Sequence, residues 1–164
     1  MTTVTGAFGT GLTEPVWVLQ HLLGFLAIGM WAGQTGGTAV WQVPVAAVTA
    51  ALAAGFAAQM GLRLPYAVPG LAAALIVMGG LVALGVKAPV ALAVLLAAVA
   101  AVFHGHPHQG SPLFWSGFAA GLLLVACAGL GLSMVVAQAE SGRAVQICGG
   151  VVAVGGVLDL VGVI

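Results

Sequence analysis

The stretch Pro89–Pro112, PVALAVLLAAVAAVFHGHPHQGSP, decides the fold class. Its first fifteen residues carry no charged or amide side chain, and alanine, leucine and valine fill nearly all of them. Such a run is built for a hydrocarbon solvent rather than for water. It stops at three alternating histidines, His104, His106 and His108, and a Gln-Gly-Ser-Pro turn follows.

Outward from this stretch the same pattern recurs. Six apolar runs bounded by Gly, Pro or charge cover roughly Pro15–Ala32, Val40–Met60, Tyr66–Val86, Pro89–Phe103, Leu113–Ala137 and Arg143–Ile164. Backbone polar groups in a bilayer must pair within their own segment, so these runs are expected to be helices. The short linkers between them force antiparallel neighbours. The expected fold is therefore an all-α integral membrane protein, a compact bundle of six transmembrane helices forming a single domain over residues 1–164. Composition agrees: 62% of residues are hydrophobic, 4% are charged and the mean hydropathy is +1.24, more apolar surface than a soluble domain of this length can bury. No repeat relates the first three runs to the last three.

Several function classes are excluded at this level. Three basic and three acidic residues offer no basic face, which argues against nucleic-acid binding. Met1–Thr13 has neither a positive segment nor an apolar one and does not read as a secretory signal. Cys127 and Cys148 lie inside apolar runs, where cysteine is usually a small packing residue. No nucleophile–base–orienter set is apparent around Ser111, Ser116, Ser133 or Ser141, so the chain is not expected to be an enzyme. Trp17, Trp31, Trp41 and Trp115 fall near run ends and are expected to anchor at the interface. The GxxxG pairs Gly29/Gly33 and Gly117/Gly121 are expected to let helices approach closely.

Polar side chains in membrane segments are costly and concentrate where function lies. With six spans, helix parity puts Glu14, His21, His104, His106, His108 and Asp159 near one membrane face. Glu14 and His21 are seven residues apart, two turns of one helix, and are expected to share a stripe about 10 Å long. Carboxylate and imidazole donors suit divalent nickel, cobalt, zinc or copper, and the candidate metal ligands are Glu14, His21, His104, His106 and His108. The plainer reading makes each a cap, an interfacial side chain or part of a solvated loop. Asp159 has two further outlets, snorkelling or pairing with Arg63. The fourth run, at fifteen residues, covers about 22 Å of a roughly 30 Å hydrocarbon core, so the histidine loop is expected below the membrane surface. Arg63 falls on the side of both termini while Lys87 and Arg143 fall on the other, which places both termini on the non-cytoplasmic side.

A family resemblance becomes visible in these segments. Gly11–Gly33, GLTEPVWVLQHLLGFLAIGMWAG, resembles the first-helix motif of the HupE/UreJ family of nickel/cobalt permease-like proteins, in which a His-Pro pair precedes Asp-His, a Leu/Met run and a Gly. Phe103–Pro112, FHGHPHQGSP, resembles that family's Phe-His-Gly-x-x-His loop; Leu64-Pro65 and Gly117-Phe118 resemble the entries to its third and fifth segments. The departures fall on the family's polar positions: Glu14 stands for a His, Gln20 for an Asp, Val68 for an acidic residue and Ala126 for a His. The resemblance implies a divalent metal, nickel or cobalt, and a bacterial inner (cytoplasmic) membrane.

Two functions follow as expectations. The departures favour a non-catalytic accessory subunit that packs beside other integral membrane subunits in a larger complex, whether respiratory, photosynthetic or hydrogenase. The alternative is a nickel/cobalt permease supplying metal for hydrogenase or urease maturation.

Overall fold

The computed structural model describes residues 4–106, 108–139 and 142–163, all secondary structure among them being helical. Seven helices follow one another: α1 (Val4–Trp17), α2 (Leu19–Thr35), α3 (Ala39–Gln59), α4 (Ala67–Ala83), α5 (Val90–Gly105), α6 (Pro112–Ala139) and α7 (Arg143–Leu160). Ser141, and Ile164 at the end of the sixth run, lie outside the described residues. The expected runs correspond to α2–α7. Among the described helices, α3, the Pro112–Val136 part of α6 and α7 are long and apolar enough to cross a membrane, whereas α4 and α5 are shorter apolar helices.

The first run is corrected. It is not one helix beginning at Pro15 but two, α1 and α2, meeting at 76°. Pro15 lies inside α1, where it has no N–H to give the turn before it, and Val18 at the elbow is extended, with φ −92° and ψ 104°. Together the two helices can count as a fourth, broken span.

Helix ends are closed by local chemistry. After α3, the Gly61 N–H donates to the Ala58 carbonyl and the Leu62 N–H to Ala57; after α4, Gly85 donates to Val82 and Val86 to Leu81. This paired return needs a left-handed residue, and Gly61 (φ 92°) and Gly85 (φ 62°) supply it.

Small residues set the packing. α6 is the central partner, holding both α1 and α2, while α3 packs on α5 and α4 on α7. Gly29 lies against the backbone of Ala126, and Gly33 against Ser133, where α2 crosses α6; Gly117 and Gly121 lie against Phe8, Leu12 and Pro15 of α1. Both GxxxG pairs thus form close helix contacts, as expected.

Two of the four tryptophans are not interfacial anchors. Trp17 and Trp41 are exposed, but Trp31 and Trp115 are buried. The Trp31 indole N–H donates to the Val86 carbonyl at 2.7 Å and that of Trp115 to Gln59 Oε1 at 3.0 Å. A buried indole needs a partner for its N–H, and helix-end carbonyls and amides provide one.

Candidate functional site: a histidine cluster at one end of the bundle

The polar side chains converge where α2 begins and α5 ends. α2 presents His21, α5 carries His104 in its last turn, and His108 lies against Glu14 of α1. The His21 ring lies 5.3 Å from that of His104 and 4.8 Å from that of His108, both edge-on. Glu14 reaches the group from α1 across the elbow: His108 Nε2–H donates to Glu14 Oε1 at 2.8 Å. Glu14 and His21 are therefore neighbours of the same histidine, not members of one helical stripe. The bend at Val18 replaces that expectation.

Hydrogen bonds fix which ring nitrogens are free. His21 Nε2–H donates to the His104 carbonyl at 2.7 Å. Its Nδ1, His108 Nδ1 and both ring nitrogens of His104 are buried without a hydrogen-bond partner. A metal-ligating histidine normally donates one N–H to a carbonyl or carboxylate and offers the other nitrogen. His21 and His108 have that arrangement. The donor set thus fits a divalent late transition ion chemically, although no three His, Cys, Asp or Glu side chains among the described residues already converge on one point.

The surroundings hold the rings from all sides. Phe118 stacks on His108 at 4.7 Å and meets His21 at 5.9 Å, and Phe25 meets His104 edge-on at 5.6 Å. Gly24, one turn beyond His21, leaves the space that the His104 imidazole occupies. A half-open cavity of about 550 Å³, lined by Glu14, Gln20, His21, Leu71, His108 and Phe114, leads to the cluster. We expect Gly24→Ala to displace the His104 ring at a cost of about 1–3 kcal/mol. Ring resonances of His104 would then shift in NMR spectra while those of His106 stay in place.

His106 points elsewhere. Its Nε2 accepts the Leu64 N–H at 2.7 Å, which ties the end of α5 to the turn before α4. Asp159 does not pair with Arg63; its Oδ1 accepts an N–H of Gln20 at 3.1 Å, joining α7 to α2 beside the cluster. Val68, at the start of α4, is largely exposed and does not face the bundle interior, whereas Ala126 is fully buried against Gly29. Sequence reasoning missed Gly24 as the residue making room for His104, and it read Phe118 only as part of a helix opening, not as the ring that stacks on His108. No signal in the sequence pairs Gln20 with Asp159.

Comparison with known proteins identifies the family. The HupE / UreJ protein family model matches residues 1–158. "Protein HupE" of Rhizobium leguminosarum bv. viciae is 33% identical over 159 residues, covering 93% of this chain and 83% of that protein. No solved structure matches. With its apolar helices and this match along nearly its whole length, the chain is an integral membrane protein and belongs to the HupE/UreJ family.

Proposed function

We propose that the protein is a six-span, non-catalytic accessory subunit that holds a divalent nickel or cobalt ion at the histidine end of its bundle and does not conduct it alone. The ligands in this reading are His21, His104 and His108, with Glu14 orienting His108 through its Nε2–H.

One observation carries the non-conducting part. Among the described residues the buried polar side chains are His21 and His104 at one end and Ser133 at the other. Ser133 lies beside Gly33, twelve residues along α2 from His21, or about 18 Å of helix. Phe25, Ile28, Trp31, Leu75, Leu122 and Ala126 are buried in the core. A divalent ion stripped of water has no oxygen or nitrogen ligand to replace its hydration there. The buried thioethers of Met30 and Met78 are soft donors, better suited to monovalent copper than to nickel or cobalt.

The partners in this reading are other integral membrane subunits of a bacterial inner-membrane complex. α6 and α7 expose Leu124, Val135, Ile147 and Val151, surfaces that lipid or foreign helices can cover. Purification from native membranes in mild detergent, with metal analysis and identification of co-purifying chains, tests this. Stoichiometric recovery with a larger complex is expected; recovery as a lone species contradicts it. Reporters fused to each end should fall on one face, the non-cytoplasmic one, because Lys87 and Arg143 then lie inside. Reporters on opposite faces would exclude six spans.

A second reading, the nickel/cobalt permease, is favoured by the unpartnered nitrogens of His21, His104 and His108 beside an open cavity. Vesicle uptake separates the two.

A further inference from the structure

At the end of the bundle away from the histidines, the C-termini of α2, α4 and α6 and the start of α7 enclose a second cavity of about 590 Å³. Its lining includes Gln34, Lys87, Ser133, Gln138 and Gln146, and Lys87 is the one formally charged side chain among the described lining residues. Glycines keep it open. A Cβ on Gly33 would press on Ser133 Oγ, and one on Gly85 on the Gln146 amide nitrogen. Gly85 and Gly142 both have left-handed backbones that disfavour other residues.

The lining is rich in donors. Lys87 offers an ammonium with no acceptor, Gln138 and Gln146 offer amide N–H groups, and Ser133 a hydroxyl. Gln34 is the complement: its Nε2–H donates to the Val82 carbonyl at 3.1 Å, and its Oε1 is buried without a partner. An ammonium among amides matches a phosphate oxygen, and the spare acceptor matches a neighbouring hydroxyl. Position agrees with a headgroup, because the cavity opens where α2, α4 and α6 end, and the ends of membrane-spanning helices meet the headgroup region.

We propose that this cavity is a binding site for a phosphate group, either the headgroup of an anionic phospholipid or free inorganic phosphate. The site is independent of the histidine cluster, from which Gln34 is separated by thirteen residues of α2, about 20 Å.

The test is native mass spectrometry of the full-length protein in detergent with added phosphatidylglycerol, with and without millimolar inorganic phosphate. Lys87 is exposed, so Lys87→Gln should fold; it is expected to retain about tenfold less lipid, the loss of one charge-assisted hydrogen bond. Lys87→Arg should retain it. Arg143→Gln, on the same end but outside the lining, should also retain it. If inorganic phosphate displaces the lipid from wild type, the phosphate site stands with free phosphate as its ligand. If it does not, the lipid headgroup is the ligand. Equal retention by wild type and Lys87→Gln, or an equal loss in Arg143→Gln, overturns the proposal, as does binding of neither probe.

Discussion

Nickel affinity of the purified protein is expected to fall by at least about a hundredfold in the His21→Ala, His104→Ala double variant, because loss of outer-shell partners alone costs about 10–100-fold. Titration calorimetry in detergent reads the change. Both histidines are buried at 1% exposure, and the His21 ring lies 5.3 Å from that of His104 and 4.8 Å from that of His108. Two further variants distinguish this cluster from a diffuse histidine-rich loop. Glu14→Gln keeps an acceptor oxygen for His108 Nε2–H but removes the charge, and should cost about tenfold. His106→Ala should leave affinity nearly unchanged, since its Nε2 is engaged by Leu64. If His106→Ala costs as much as His21→Ala, the ion is held by the loop.

Trp31→Ala is expected to destabilise the bundle by about 3–5 kcal/mol, the range for deleting a fully buried aromatic side chain. Trp31 has 0% exposure and its N–H closes the end of α4 through Val86. Trp31→Phe keeps most of the ring and loses only that bond, at about 1 kcal/mol. Trp17→Ala should change stability by no more than about 0.5 kcal/mol, because Trp17 is 82% exposed. Denaturation by added SDS in mixed micelles measures all three. Equal losses at positions 17 and 31 would contradict the burial seen here.

The tryptophans show where sequence stops being informative. Proximity to a run end looks the same for Trp17 and Trp31; only the direction of the side chain around the helix separates lipid from core, and in a chain apolar on all faces no hydrophobic stripe marks that direction. For the same reason the last five runs were readable as helices to within a few residues, but their pairing was not. α1 was invisible for a different reason. Its sequence, VTGAFGTGLTEPVW, holds three glycines and a proline, poor helix formers in isolation, and the helix rests on α6 at Gly117 and Gly121. The candidate site was legible in part, because antiparallel packing of six runs brings the start of the first run and the end of the fourth to one end of the bundle. The elbow that turns Glu14 onto His108 rather than His21, and the use of His106 as a backbone acceptor, are tertiary.

The claim that the bundle centre is closed to ions is tested most directly by reconstituting the protein alone in sealed liposomes with a metal-sensing dye inside and adding nickel or cobalt outside. Dehydrating a divalent ion against Phe25, Ile28, Leu75, Leu122 and Ala126 costs far more than ordinary binding offsets. A signal no greater than that of empty vesicles is expected. Uptake that saturates with metal concentration and disappears in the His21→Ala, His104→Ala variant would contradict it and make the protein a permease.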